Sequence, residues 1–175
     1  MKNIALLLFS FLSLNASAVR KPAHIFIIRH AEELSGTAWT LSPEGVSRAN
    51  ALGDYFSKLT LEIGGIFAPI PDEKSGRSFE TCEPLARSLN QKVQLLYRRN
   101  DTVGFAEELR KNIEQGKSVV VCWTHRNIPD IVKALGVNST PVWDSNVFDE
   151  VWDITFQLMP NLSIYKQEFD EKVEV

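Results

Sequence analysis

Cysteine and histidine are scarce in this chain, which has two Cys and three His among its 175 residues. Two thiols without clustered histidines do not make up the usual ligand set of a zinc site, so we expect no metal. Cys82 and Cys122 could pair in an oxidising compartment. Both occupy apolar positions of a predicted helix and a predicted strand, however, and we therefore expect buried free thiols.

Positive charge is not in excess either, because the formal net charge is −3 at pH 7. A mildly acidic chain argues against a nucleic-acid partner, and any cationic site must be local. The sequence also lacks internal repeats, low-complexity tracts and linkers. Its hydrophobic fraction of 44% and charged fraction of 23% are ordinary for a globular protein, so we expect a single domain.

Long apolar segments are absent beyond the N-terminus, where residues 4–14 are mostly apolar. Lys2 precedes this run and Ala16, Ser17 and Ala18 follow it, which is the pattern of a secretory signal peptide. The run is too short for the alternative, a membrane-spanning anchor, and no Cys near the cleavage point could carry a lipid. We predict a signal peptide at 1–18, a mature domain at 19–175, export to the periplasm or the medium, and no membrane span.

Short apolar runs alternate with amphipathic segments along the mature chain. The first run starts at His24 and ends at the Arg29-His30 pair, and further strands are predicted at 63–68, 92–97 and 118–124. Predicted helices begin after caps at Ser42 and Thr102, at Arg77, and near residue 127. Residues 151–159 and 162–165 are typical of a hairpin. This order predicts an α/β three-layer sandwich, with a mainly parallel sheet, helices on both faces and an antiparallel C-terminal edge.

Charged and titratable residues follow three of these strands. Arg29 and His30 end the first strand, Arg77 opens the helix after the second, and His125 follows the fourth. Ligands of an open α/β sheet bind beyond the carboxyl ends of its strands, so these side chains should face a common site. Guanidinium forks match phosphate oxygens, and an imidazole can act as nucleophile or donor near neutral pH. His24, at the start of its strand, is expected to be structural.

These residues resemble the motifs of the histidine phosphatase superfamily, also called phosphoglycerate-mutase-like. The family has four motifs. The first is an Arg-His-Gly after the first strand, and the second is a Leu-Thr/Ser-x-x-Gly block followed by Arg-Ala. The third is an Arg with a Thr four positions later and then a Leu-Ala helix, and the fourth is a His-Gly-Asn after a later strand. The corresponding positions here are Arg29, His30 and Ala31; Leu41, Ser42, Gly45, Arg48 and Ala49; Arg77, Thr81, Leu85 and Ala86; and His125, Arg126 and Asn127.

The chain departs from these motifs in three ways. Ala31 replaces a Gly, which is a mild change if the backbone φ there is negative. Arg126 replaces a second Gly, and it either adds a cation to the pocket or points into solvent, the interpretation we favour. No carboxylate stands out as the proton donor that many members carry. Glu32 and Asp149 are weak candidates, and each taken singly is better explained as a surface charge.

The resemblance implies a phosphatase acting on a small phosphate ester or phosphoramidate. Neutral His30 would attack phosphorus and form a phosphohistidine, while Arg29, Arg77 and His125 hold the phosphoryl oxygens. It implies no metal and no cofactor. A mutase is a weaker interpretation, because mutases of the family use additional inserted structure. The alternative from another class is a non-catalytic anion-binding protein with a retained pocket, although a binder has no need of a nucleophilic imidazole.

Overall fold

The computed structural model describes residues 22–36, 39–59, 61–73 and 75–169. The predicted signal peptide lies outside them. The described elements, in chain order, are β1 (His24–Arg29), α1 (Pro43–Ser57), β2 (Ile63–Phe67), α2 (Arg77–Ser88), β3 (Val93–Gln94), α3 (Thr102–Glu114), β4 (Ser118–Trp123), α4 (Ile128–Ala134), β5 (Glu150–Phe156) and β6 (Pro160–Lys166). None of the described helices is both long and apolar enough to cross a membrane.

The six strands form one sheet in the order β3-β2-β4-β1-β5-β6. The first four in this order pair in parallel, whereas β5 pairs antiparallel with β1, and β6 pairs antiparallel with β5. The predicted α/β fold, with its mainly parallel sheet and antiparallel C-terminal edge, is therefore confirmed. The central position of β1 and β4 explains why both strands are continuous apolar runs, because both of their faces are covered.

The helices divide between the two faces of the sheet. Ile25 and Ile27 of β1 pack in one hydrophobic cluster with residues of α3 and α4. Phe26 and Ile28 belong to a second cluster, which includes residues of α1 and α2. Because successive strand side chains point to opposite faces, this alternation places one helix pair on each side of the sheet. The result is the predicted three-layer arrangement.

Local details differ from the sequence predictions at two places. The third strand is only two residues long instead of covering 92–97. Beyond it the pairing with the chain after β2 is irregular: Ala68 N donates to Gln94 O and Ile70 N donates to Tyr97 O, so three residues on one side are opposite two on the other. The cap of α3 is Asp101, whose side chain accepts a hydrogen bond from Gly104 N at 3.2 Å, and not Thr102, which is the first helical residue. The cap at Ser42 is confirmed by its hydrogen bond with Gly45 N.

Both cysteines are fully buried free thiols, as predicted. Cys82 on α2 and Cys122 on β4 belong to the same hydrophobic cluster. Burial raises the pKa of the Cys82 thiol well above its usual range, and the neighbouring Cys122 acts in the same direction. The two residues therefore contribute to the core as small apolar side chains.

Candidate active site

Parallel strands bring the predicted site residues to one edge of the sheet. Arg29 pairs in register with Trp123 of β4, so β1 and β4 end at the same level. The backbone N–H of His30 extends this ladder by donating to Trp123 O at 3.1 Å. One pocket of about 570 Å³ lies at this edge. Its lining residues are Arg29, His30, Glu33, Arg77, Arg99, Asn100, Thr124, His125, Arg126 and Asn127.

All four predicted residues, Arg29, His30, Arg77 and His125, line this pocket. The structure therefore brings them together, while their catalytic roles stay predictions. His24 does not line it, since it lies at the other end of β1 and its Nδ1 contacts Asp153 Oδ1 at 2.9 Å.

His30 is held as a neutral imidazole in one tautomer. Its Nδ1 lies 2.8 Å from the backbone oxygen of Ala31. A carbonyl only accepts hydrogen bonds, so Nδ1 carries the proton and Nε2 keeps a free lone pair. Burial lowers the pKa of His30 to about 3, despite the opposing effect of the Ala31 hydrogen bond. The residue is 2% exposed and lines the pocket.

The backbone oxygens of the segment before β5 fix Arg29 in place. Its Nη1 donates to Ser145 O at 2.5 Å and to Val147 O at 3.2 Å. Its guanidinium carbon lies 3.7 Å from the centre of the Phe148 ring, a cation–π contact. Burial and the charge of Arg77 lower the pKa of Arg29 to about 10, which leaves it charged at neutral pH. Its Nε is buried and has no hydrogen-bond partner among the described residues.

A buried threonine connects the arginine of α2 to the loop that carries His30. The Thr81 hydroxyl donates to Arg77 O at 2.8 Å and accepts from Ala31 N at 2.9 Å. This pair of hydrogen bonds explains the four-residue spacing between Arg77 and Thr81, which is one helical turn. The sequence pattern contained Thr81, but it did not reveal this positioning role.

A glycine allows α1 to approach the same loop closely. Ser42 N donates to Glu32 O at 2.9 Å. A Cβ on Gly45 would lie 2.2 Å from that oxygen, so no side chain fits there. The Leu-Ser-x-x-Gly motif thus has a steric explanation in this chain. Ala31 requires no glycine, since its φ is not positive.

His125 faces His30 across the pocket, with their ring centres 6.5 Å apart. Burial lowers the pKa of His125 to about 4, and the charges of Arg29, Arg126 and Arg77 act in the same direction. Its Nδ1 is buried and has no hydrogen-bond partner in the described part of the chain. The residue is therefore a neutral imidazole at neutral pH. A bound anion could raise its pKa and accept a hydrogen bond from it.

The candidate proton donors lie elsewhere. Glu32 forms an ion pair with Arg48 at 2.6 Å, and Asp149 forms one with Lys166 at 2.8 Å. Neither residue lines the pocket. Glu33 is the only carboxylate among the described residues that does, and it forms an ion pair with Arg77. The sequence offered no signal for Glu33 beyond its proximity to His30.

Sequence reasoning also missed part of the cationic lining. Arg99 lies in the loop between β3 and α3, and no sequence motif indicated it as a pocket residue. Arg126 lines the pocket and is exposed as a whole residue, so each of the two alternatives that the sequence left open applies in part. Loops have no hydrophobic periodicity, so their sequence does not predict which of their side chains line a pocket.

The lining residues make the pocket strongly cationic. Four arginines and one glutamate line it, and the two histidines are neutral at pH 7, so its formal charge is 4 − 1 = +3. The whole chain is acidic by comparison, at −3. No group of three or more His, Cys, Asp or Glu side chains among residues 22–36, 39–59, 61–73 and 75–169 could hold a metal ion. The pocket is suited to an anion with several oxygens.

Comparison with solved structures identifies the fold. Over 82% of this chain and 97% of the other, it is similar to the protein histidine phosphatase SixA complexed with tungstate, with a TM-score of 0.64 and 15% identity. It is similar to phosphoglycerate mutase from Plasmodium falciparum over 88% and 96% of the two chains, with a TM-score of 0.55 and 13% identity. A mycobacterial hydrolase is similar over 87% and 94%, with a TM-score of 0.56 and 13% identity.

No protein-family model matches the sequence, and no curated protein matches it. The structural likenesses are therefore what establishes the architecture. The chain has the fold of the histidine phosphatases and phosphoglycerate mutases, the fold that the motif resemblance predicted.

Proposed function

We propose that this protein is a phosphatase that hydrolyses a phosphate ester or phosphoramidate through a phosphohistidine at His30. The observation that carries the proposal is the tautomer of His30, which leaves the Nε2 lone pair free in a residue that lines a pocket together with four arginines. The likeness to the protein histidine phosphatase SixA supports it, because the two chains share one fold over 82% of this chain and 97% of the other.

The first step transfers the phosphoryl group to the enzyme. Nε2 of His30 attacks phosphorus, the N–P bond forms, and the leaving oxygen or nitrogen departs with the electron pair of the broken bond. Because His30 is neutral before attack, its lone pair is available at neutral pH. Arg29 and Arg77 hold the equatorial oxygens, and positioning of this kind with charge stabilisation is most of what phosphoryl transfer requires.

The second step releases phosphate. A water molecule attacks the phosphohistidine, the N–P bond breaks, and its electron pair returns to Nε2 while the proton of the water leaves with phosphate or solvent. His125 lies opposite His30 and can donate a hydrogen bond once a dianion beside it raises its pKa. The Ala31 carbonyl keeps Nδ1 protonated throughout, so the imidazole returns to the same tautomer.

A binding protein without turnover fits these features less well. Anion binding requires the guanidiniums, but it does not require an imidazole whose tautomer is fixed and whose pKa is lowered to about 3. An unprotonated imidazole contributes no charge to anion binding. The buried neutral His30 therefore favours a nucleophile over a ligand-binding cation.

The test is acid-labile phosphoenzyme trapping. The purified protein is first screened against a panel of phosphate esters and phosphoramidates in the presence of a chelator, where we expect activity to persist and vanadate to compete with substrate. Reaction with a ³²P-labelled substrate and rapid quenching should then label the parent chain but not His30→Ala. Full turnover by His30→Ala, or activity that a chelator removes and a divalent metal restores, would refute the proposed mechanism.

We also propose that the protein acts outside the cytoplasm, after cleavage behind Ala18. The proposal rests on the basic residue, apolar run and small residues of 1–18. N-terminal sequencing of the chain from a secreting host should begin at Val19. An intact N-terminus in the cytosolic fraction would contradict it.

A further inference from the structure

The proposed mechanism assigns no role to two of the four arginines that line the pocket. Arg29 and Arg77 suffice, with the two histidines, to surround a phosphoryl group. Arg99 and Arg126 line the same pocket from two other loops, those before α3 and before α4. Their positions form a second cationic part of the pocket, which we call the Arg99/Arg126 subsite.

The charge of Arg126 has no partner in the described part of the chain. No hydrogen bond or ion pair joins it to residues 22–36, 39–59, 61–73 or 75–169. The charge of Arg126 acts instead on His125, whose pKa it helps to lower. A cation placed beside like charges costs free energy unless a ligand supplies the opposite charge, and such arrangements concentrate at functional sites.

Arg99 also brings a positive charge to the pocket, but this charge has an acidic partner. It forms an ion pair with Asp72 at 3.1 Å, and its side chain remains 31% exposed. It also acts on Arg77, where it is the second cause, after burial, of a lowered pKa. The positive charges of Arg77 and Arg99, which line the same pocket, therefore repel each other.

The loops that carry the subsite are fixed to the fold. The indole N–H of buried Trp123 donates to Arg99 O at 3.0 Å. Asn127 Nδ2 donates to Asn100 Oδ1 at 3.4 Å, which joins the two loops to each other. Thr124 Oγ1 in turn donates to Asn127 Oδ1 at 2.6 Å. Arg99 and Arg126 thus project from backbone that is positioned in advance, as a binding subsite requires.

The volume of the pocket also exceeds the needs of a phosphoryl group. At about 570 Å³ it lies within the range of roughly 300–1,000 Å³ that is usual for sites holding a whole small molecule. Glu33 pairs with Arg77 and Asp72 pairs with Arg99, so Arg29 and Arg126 are the pocket arginines that no described carboxylate pairs. Arg29 is assigned to the phosphoryl group. The volume therefore indicates a ligand larger than a phosphoryl group, and Arg126 indicates that this ligand carries a second negative charge.

We propose that the Arg99/Arg126 subsite binds a second anionic group of the substrate, a carboxylate or a second phosphate, while the first phosphate lies at His30. The inference rests on the proposed phosphatase function and narrows its substrate class to esters with two anionic groups. Planar guanidiniums bind either group by paired hydrogen bonds, so the shared chemistry is an oxyanion close to the scissile phosphate.

The test compares two aryl phosphates that differ in one charge. 3-Carboxyphenyl phosphate carries the second anion, and 3-carbamoylphenyl phosphate is its neutral counterpart of nearly equal shape. We expect kcat/KM for the carboxylate to exceed that for the amide by about 10- to 100-fold at low ionic strength, the usual worth of a charged hydrogen-bond pair. The ratio should fall as salt is added. 1,3-Phenylene bisphosphate distinguishes a preference for phosphate from one for carboxylate.

Arg126→Gln and Arg99→Gln should each bring this ratio towards one. Arg126→Gln is the decisive variant, because it removes no contact among the described residues and should fold normally. Arg87→Gln is the matched control, since Arg87 is an exposed arginine of α2 outside the pocket, and it should keep the parent ratio. A parent ratio near one, or a ratio unchanged in Arg126→Gln, would overturn the inference.

Failure of the inference and failure of the proposed function give different results. If both esters are hydrolysed at equal rates, the phosphatase stands and the subsite is wrong. If neither these esters nor any member of the panel of phosphate esters and phosphoramidates is hydrolysed, the phosphatase is wrong, and calorimetric titration of the two esters then decides the subsite. Tighter binding of the carboxylate in the parent, lost in Arg126→Gln, supports the subsite without turnover, whereas equal affinities refute it.

Discussion

The two ends of β1 each carry a histidine, and the two side chains have opposite surroundings. His24 begins the strand, contacts the Asp153 carboxylate at 2.9 Å and stacks on Phe26 with ring centres 5.2 Å apart. His30 follows the strand, donates to a backbone oxygen and has arginines as its charged neighbours. Burial alone therefore does not define a reactive imidazole, because both histidines are largely buried and only His30 is surrounded by cations.

The difference follows from the direction of the neighbouring strands. At the carboxyl end of β1, the parallel strand β4 also ends, and the loops that leave both strands bring arginines together. At the amino end, the antiparallel strand β5 contributes Asp153 as a partner for His24. One end is therefore a cationic cavity and the other a paired structural contact. Three predictions test this contrast, beginning with the largest expected effect.

The largest effect concerns the leaving group, because the part of the chain that the structure describes places no unpaired carboxyl group in the pocket at His30. Glu33, the one carboxylate of the described residues in the pocket, forms an ion pair with Arg77. A general acid contributes roughly 10²–10⁴-fold, and most for a poor leaving group such as an alkoxide. We therefore expect kcat/KM to fall by that order from aryl phosphates or phosphoramidates to alkyl phosphates, measured by steady-state kinetics on a matched series.

The variants of this experiment identify any acid that is present. Glu33→Gln should leave the aryl-to-alkyl ratio unchanged, and so should Glu32→Gln and Asp149→Asn, whose carboxylates form ion pairs outside the pocket. Comparable rates for aryl and alkyl substrates in the parent would contradict the prediction. A selective loss of alkyl turnover in one variant would then name the acid.

The sequence was sufficient to predict the architecture and the assembly of the site, for a physical reason. Apolar runs without polar alternation require burial on both faces, which only an inner strand of a covered sheet provides. Once β1 and β4 are parallel neighbours, Arg29 and His125 must lie at the same edge. Neither deduction requires knowledge of side-chain conformation.

The parts that could not be predicted depend on contacts between distant loops. The carbonyls that hold Arg29 lie 116 and 118 residues further along the chain. The ion pair of Glu33 and the place of Arg126 at the pocket depend on loop conformations, which hydrophobic periodicity does not predict. The same applies to the short β3, after which the pairing with the chain beyond β2 becomes irregular.

The second prediction concerns the pH dependence of stability at the His30 end. An unfolded histidine takes up a proton near pH 6.5, whereas folded His30 does so near pH 3. Between these values the unfolded chain binds more protons, so the free energy of unfolding should fall as pH is lowered through this window. One such histidine contributes a slope of up to about 1.4 kcal/mol per pH unit.

Urea denaturation at several pH values measures this slope. His30→Asn should show a shallower loss of stability between about pH 6 and pH 4 than the parent, because the variant cannot take up that proton. The His30 contribution should persist in His24→Asn, which leaves the cationic pocket intact. Parallel stability curves for the parent and His30→Asn would show that His30 is readily protonated in the folded protein and would remove the contrast between the two ends.

The smallest effect is expected at the His24 end of the strand. His24→Ala removes the hydrogen bonds to Asp153 and the stacking on Phe26, in a side chain that is 19% exposed. We expect a loss of about 1–2 kcal/mol in the free energy of unfolding. Because His24 does not line the pocket, kcat/KM should stay within about twofold of the parent once both proteins are fully folded. A tenfold loss of turnover with little loss of stability would mean that β1 transmits changes from one end to the other, and that the two histidines do not act independently.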